Sequence, residues 1–171
     1  ARGCDKAAEF VSFCDAFNIP VLALVNVKGY KQSKCTERRI AKAAGRLTYA
    51  FANADVPKVT VVIGEAYGSA YVTMNSKSIG ADIVYAWPDA KIGMMDAAAA
   101  VKIMYAEEIS ASDKAAALIS EKAAEYEALQ SSAAAAAGRG YVDDIIKADE
   151  TRQRVIAAFE MLFTKREGRP S

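Results

Sequence analysis

The sequence predicts an α/β fold with parallel strands, formed as one domain. Two observations lead there. A helix, a short proline-containing break and a buried β-branched strand follow one another twice, the strands falling at residues 21–27 and 59–63. Both strands are continuously apolar, as strands covered on both faces are, whereas half-exposed strands alternate. A chain of 171 residues suffices for one hydrophobic core, and no linker-like stretch divides it.

Each element has a local reason. Ala7, Phe10, Cys14 and Phe17 recur at helical spacing and predict the buried stripe of a first helix. Asn18-Ile19-Pro20 ends that helix, and residues 21–27 read as a buried strand. Residues 28–36, with Gly29, read as a polar loop. Ile40, Ala43, Ala44, Leu47, Ala50, Phe51 and Ala54 form a second helical stripe, closed by Asp55-Val56-Pro57 before the strand at 59–63. A shorter third strand is expected at 83–87, closed by Pro88.

Past Asp96 the chain is alanine-rich, which favours helices that pack closely. Asp96 predicts the cap of a helix over 97–106. Further helices are expected over 113–118 and 121–137, with Ser131-Ser132 as a candidate break and Gly138-Arg139-Gly140 as the end. Residues 141–146 read as a short strand or a turn before a helix. The final helix is expected to carry Val155, Ile156, Phe159, Leu162 and Phe163 on one face, followed by a fraying tail over 164–171.

Composition narrows the function. A net charge of +1 offers no basic excess for nucleic acid. No run of about 18 apolar residues is present to insert in a membrane, and there is no secretory signal pattern. Cys4, Cys14 and Cys35 are odd in number and lack C-x-x-C spacing. They argue against a disulfide framework or zinc site and for a reducing cytoplasm. No metal site is expected. The chain has no histidine, so its own side chains supply no imidazole chemistry.

The most informative segment is Ala66-Tyr67-Gly68-Ser69-Ala70-Tyr71, between an apolar strand and a helix-compatible stretch. A strand that turns into a helix at Gly-Ser leaves free N–H groups at the helix start. Such groups can hold an oxygen that gains negative charge during a reaction. A tight structural turn is the alternative reading of the same residues.

The segment resembles the A-Y-G-G-A-Y motif of biotin-dependent acyl-CoA carboxyltransferases, of the propionyl-CoA carboxylase beta-subunit and methylmalonyl-CoA decarboxylase alpha-subunit type. The likeness extends both ways and keeps the motif order. Phe13-Cys14-Asp15-Ala16-Phe17-Asn18-Ile19-Pro20 resembles F-C-D-A-F-N-I-P, and the stretch from Tyr49 to Thr60 resembles Y-A-F-A-E-A-T-V-P-K-V-T. Asp82 to Pro88, Arg139 to Ile146 and Thr151-Arg152 resemble three further blocks.

The resemblance implies a crotonase-type (ClpP/crotonase) spiral of β-β-α units with C-terminal helices. It covers only the second, biotin-side domain of the family, so an N-terminal acyl-CoA domain is expected on the same gene or on a separate chain. The implied reaction transfers a carboxyl group between carboxybiotin and an acyl-CoA, in the direction of a carboxylase, a decarboxylase or a transcarboxylase. Biotin on a carrier protein is the implied cofactor and a coenzyme A thioester the substrate. The biotin ureido nitrogen serves as base, which suits a chain without histidine.

Carried over by position, the Ser69 and Ala70 amides form the oxyanion hole facing the biotin carbonyl. Gly29, Tyr30, Gly68 and Tyr71 fall at biotin-binding positions, and Val72 falls where the family selects the acyl group. Implied partners are the N-terminal carboxyltransferase domain, a biotin carboxyl carrier protein, a biotin carboxylase or membrane decarboxylase subunit, and further copies of the chain. The isolated chain is expected to be inactive.

Departures gather at the implied pocket. The family's D-V-P-G-F is Asn26-Val27-Lys28-Gly29-Tyr30 here, R-H-G-A is Lys42-Ala43-Ala44-Gly45, the second glycine of the signature is Ser69, and an acid is Val72. Two rival readings therefore stand beside the first: a non-catalytic assembly domain, and a crotonase-type hydratase or isomerase. Ser69 as a nucleophile lacks a histidine base and needs a lysine instead. Lys28, Lys31 and Lys34 read as a solvated loop or as contacts to CoA phosphates. Tyr85 and Trp87 read as core or interface anchors.

Overall fold

The computed structural model describes residues 1–31, 33–112 and 114–165, without the Cys35 side chain. Asp113, expected to open a helix, Gln32 within the expected loop, and the tail 166–171 lie outside the described residues.

A parallel sheet organises the chain. Its strands are β1 (Val21–Val27), β2 (Lys58–Tyr67), β3 (Ile83–Ala86), β4 (Lys91–Gly93) and β5 (Asp144–Ile145). They run in the order β1-β2-β3-β5, and β4 pairs with Glu65–Tyr67 at the end of β2. β2 is thus longer than the apolar run that predicted it, and β4 was not expected.

The cause is a bulge. Val25 lies opposite Val62, but Val27 lies opposite Ala66. Asn26 sits between them, and its Oδ1 accepts a hydrogen bond from the Glu65 amide at 3.1 Å. A Cβ on Gly64 would stand 2.7 Å from that oxygen and would push the Asn26 side chain out of this position. Bulges bend the strand that carries them, and beyond this one β2 meets β4.

The helices are α1 (Arg2–Ala16), α2 (Lys34–Glu37), α3 (Ile40–Asn53), α4 (Gly68–Val72), α5 (Ala97–Met104), α6 (Ala106–Ala111), α7 (Ala115–Tyr126), α8 (Ala133–Gly138) and α9 (Thr151–Met161). α2 lies within the expected polar loop. Ser33 starts it by accepting from the Thr36 amide at 3.2 Å.

α1 buries Ala8, Val11 and Cys14 against Leu47, Ala50 and Phe51 of α3. Of the expected stripe, Cys14 is buried and Ala7 packs half-buried against the same cluster, but Phe10 and Phe17 are exposed, and Phe13 stacks on Phe17 with ring centroids 4.6 Å apart. Polar ties set the rotation. Arg46 Nη1 meets Asp5 at 3.0 Å, and Asp15 Oδ1 accepts from the Asp55 amide at 2.7 Å.

On one sheet face, Val59, Val61 and Tyr85 pack with Ile146, Val155 and Ala158, joined by half-buried Phe159 and Leu162. Ile156 and Phe163 of the expected stripe are exposed instead. Trp87 Nε1 donates to Thr151 Oγ1 at 2.9 Å and fixes the start of α9, the anchoring role expected for it.

Asp96 caps α5 as expected, its carboxylate accepting from the Ala99 amide at 2.9 Å. The helix expected over 97–106 breaks at Tyr105, where α6 begins. α7 runs unbroken from Ala115 to Tyr126, across the gap expected between helices over 113–118 and 121–137. It passes into a π turn, Glu127–Ser131. Ser132 then starts α8 by accepting from the Ala135 amide at 3.2 Å, so the break falls at the serine pair. Among the described residues, no helix is long and apolar enough to cross a membrane.

Candidate functional site

The site begins where β2 passes into α4 without an intervening loop. Tyr67 is extended, with φ −119° and ψ 138°, and no side chain caps the helix. Gly68 then takes φ +60°, in the left-handed region. A Cβ there would also stand 3.0 Å from the Met94 carbonyl oxygen. Both demands select glycine. Gly68→Ala is expected to destabilise the protein by about 1–3 kcal/mol, from backbone strain and the Met94 contact. A thermal or urea midpoint checks this, and an unchanged midpoint contradicts the account.

Ser69 and Ala70 are the second and third residues of α4. By helix geometry their N–H groups have no acceptor within the helix. Ser69 is exposed, while Ala70 is buried. The Tyr30 hydroxyl donates to the Ser69 carbonyl at 3.3 Å and bonds Thr73 Oγ1 at 2.8 Å. Tyr30 thus ties the segment after β1 to α4.

A cavity of about 590 Å³ opens beside this turn. From α4 it is lined by Gly68, Ser69, Tyr71 and Val72; across from them stand Gln130 of the π turn and Arg139 after α8. Of the residues singled out in the sequence, Gly68, Ser69, Tyr71 and Val72 come together there. Ala70 is adjacent in the chain and buried; Gly29 and Tyr30 do not line the cavity. Lys28 does not plug it either, pairing instead with Glu65 at 3.0 Å. A groove of equal volume between α1 and α3 holds Arg46, which already faces Asp5 and Glu9.

Sequence reasoning missed the far wall. β4, which carries Gly93 and Met94 to the cavity, is only three residues long and has no apolar run. In the sequence Gly138-Arg139-Gly140 reads as a helix end and Arg139 as the start of a family block, with no place in a pocket, although an arginine between two glycines is a visible signal.

Tyr71 lies 7% exposed, and its hydroxyl has no hydrogen-bond partner among the described residues. Burial pushes its pKa up to about 12, with nearby Tyr141 adding to the effect. Tyr67 is also pushed up to about 12, first by burial and then by Glu65, Glu127 and Asp96. Both hydroxyls therefore stay protonated, as donors, at neutral pH.

The sign of the pH dependence follows. Between pH 10 and 12 the unfolded tyrosines release protons that the folded ones retain, so stability falls as pH rises. A two-unit shift corresponds to about 3 kcal/mol per group. Tyr71→Phe is expected to flatten that decline in urea midpoints measured between pH 9 and 11.5. An equal decline in wild type and variant contradicts it.

Among the described residues, no group of three His, Cys, Asp or Glu side chains is placed to hold a metal. No lysine bonds the Ser69 hydroxyl among the described residues, so a Ser–Lys nucleophile has no support here.

Comparison with known proteins decides the family. The model of the carboxyl transferase domain matches residues 1–171, the whole chain. The chain belongs to the carboxyl transferase domain family. This carboxyl transferase domain is 44% identical over 168 residues to the methylmalonyl-CoA carboxyltransferase 12S subunit of Propionibacterium freudenreichii subsp. shermanii, covering 98% of this chain and 32% of that protein. It is 48% identical to a putative propionyl-CoA carboxylase beta chain of Bacillus subtilis (strain 168), covering 97% of this chain and 33% of that one.

The fold agrees. The transcarboxylase 12S crystal structure superposes with a TM-score of 0.93 at 44% identity, over 98% of this chain and 32% of that one. The beta subunit of P. aeruginosa geranyl-CoA carboxylase gives 0.79 at 25% identity, over 99% and 34%. The crotonase-type α/β fold implied by the motifs is the fold of this carboxyl transferase domain. The chain spans about a third of the length of the relatives it matches.

Proposed function

We propose that this chain is the biotin-side half of an acyl-CoA carboxyltransferase. The observation that carries the reading is the cavity beside α4, into which the Gly68–Val72 turn of the family's signature segment opens. The relatives' names point to the same chemistry: a methylmalonyl-CoA carboxyltransferase, a propionyl-CoA carboxylase and a methylmalonyl-CoA decarboxylase. The transcarboxylase 12S structure is described as a hexamer that binds methylmalonyl-CoA. That likeness supports a homo-oligomer for the intact protein. An N-terminal domain that holds the thioester and a carrier protein that delivers biotin complete the proposal.

The cavity suits biotin. Its wall is partly bare backbone at Gly68 and Gly93, and Tyr71 lines it with its ring. When bound, carboxybiotin supplies the carboxyl group. This chain's part is electrostatic and positional. The Ser69 and Ala70 N–H groups are assigned to the ureido oxygen as it gains charge, and they need no reorganisation to meet it. The left-handed turn at Gly68 and the Tyr30 bond to the Ser69 carbonyl hold these donors in place. Gly68 and Tyr71 are assigned to the biotin ring. Tyr30 takes a supporting part through its bonds to Ser69 and Thr73, and Val72 is assigned to acyl-group selection. No protein base is required, which agrees with a chain that has no histidine.

The test is a carboxyl-transfer assay of the intact protein with biotin and a panel of acyl-CoAs. Transfer by the intact protein, and none by residues 1–171 alone, is expected. An intact protein that assembles but transfers nothing overturns the proposal in favour of an assembly domain.

A further inference from the structure

The cavity wall contains one charged side chain among the described residues, and its charge is not neutralised. That side chain is Arg139. α8 ends at Gly138, Gly140 follows with φ +80°, and the turn sends Arg139 back toward the π turn. There Nη1 donates to the Gln130 carbonyl at 2.9 Å and Nη2 donates to Gln130 Oε1. Both acceptors are neutral. No carboxylate lies within ion-pair distance of Arg139 among the described residues, whereas Arg46 and Arg154 each meet acidic side chains. A guanidinium has five N–H donors, so three remain after Gln130 is served.

The rest of the lining sharpens the inference. Ile92, Met94 and Tyr126 make much of the wall apolar, which strengthens any charge interaction made there. Tyr71 lines the same cavity, its hydroxyl buried and without a hydrogen-bond partner among the described residues. A planar cation held by two bonds, with donors to spare, matches a carboxylate. Guanidinium groups bind carboxylates through paired N–H donors, with geometry that a lysine does not reproduce.

We propose that Arg139, oriented by Gln130, is the carboxylate-binding residue of this cavity. The inference rests on the proposed carboxyltransferase function, in which a carboxylate enters on either of two partners. It is carried by the carboxylated acyl thioester or by the carboxylated biotin.

The experiment uses the intact protein as wild type, Arg139→Gln and Arg139→Lys. Calorimetric binding is measured for methylmalonyl-CoA and propionyl-CoA, which differ by one carboxylate. The KM for the carboxylated carrier is measured in parallel. Loss of a charge-assisted bond weakens binding about tenfold or more. If the thioester carboxylate is the ligand, Arg139→Gln weakens methylmalonyl-CoA by that factor, leaves propionyl-CoA within about twofold, and Arg139→Lys recovers only part of the loss. If the ligand is the biotin carboxylate, both thioesters bind unchanged and the KM for the carrier rises by that factor. Three quantities within about twofold of wild type overturn the proposal, as do three equal losses accompanied by a lower melting temperature. Wild type that binds methylmalonyl-CoA through Arg139 but transfers nothing overturns the proposed function alone. Wild type that neither binds thioesters nor accepts the carrier overturns both.

Discussion

Replacing Ala70 with proline is expected to lower carboxyl transfer by the intact protein about 100- to 1,000-fold, the usual effect of removing one oxyanion donor. The substitution deletes one N–H that the helix itself does not use. It falls in the first turn of α4, where proline removes no helical hydrogen bond. Folding stability is therefore expected to fall far less than the rate. The two are compared by kcat and by the urea midpoint of the same preparation. A kcat within about threefold of wild type removes Ala70 from the site. A rate loss matched by unfolding assigns the effect to structure.

The second large effect is expected at Lys58. This lysine is 2% exposed, and its ammonium donates to the carbonyls of Phe51 and Ala54 at 2.8 Å each. These are among the last carbonyls of α3, where a positive charge also meets the negative end of the helix dipole. The Lys58 amide donates to Asp82 at 2.7 Å. One residue thus joins the end of α3, the start of β2 and the approach to β3. Lys58→Met keeps most of the volume and removes the donors. It is expected to destabilise the protein by about 3 kcal/mol or more, since hydrogen bonds to charged groups are worth about 1.5–3 kcal/mol each. A urea midpoint at unchanged m-value measures the loss. A change below about 1 kcal/mol means that water or neighbouring groups replace the ammonium.

Local chemistry made most of the sheet legible. Val21–Val27 forms a strand as its apolar run predicts, but it is buried on one face only: Leu22 and Leu24 are exposed on the other, where coverage on both faces was expected. Pro20 and Pro57 mark where helices end ahead of β1 and β2. Asp96 and Ser132 cap helices because their side chains reach amides three residues on, a relation visible in sequence. The errors lie where a distant partner decides. On α1, Ala7 and Cys14 keep their expected place against α3, while Asp5 and Asp15 find partners on α3 and beyond and Phe10 and Phe17 face outward. β4 forms only because a bulge at Asn26 and Gly64 bends β2 toward it. At the C-terminal helix, Ile156 on α9 and Phe163 just beyond its end belong to the predicted apolar stripe yet are exposed.

The site divides in the same way. Its near wall, Gly68 to Val72, is one continuous motif and could be read directly. Its far wall is assembled from β4, the π turn and the end of α8, which only the fold brings together. Gly29 and Tyr30 belong to the same family pattern but do not line the cavity; Tyr30 bonds Ser69 and Thr73 instead.

The most direct test of the central claim is a crystal structure of the intact protein with biotin bound. The account predicts the ureido oxygen at about 3 Å from the Ser69 and Ala70 nitrogens, hydrogen-bond distance for an N–H donor, with the ring against Gly68 and Tyr71. Biotin seated elsewhere, or these two amides turned to protein acceptors, contradicts it.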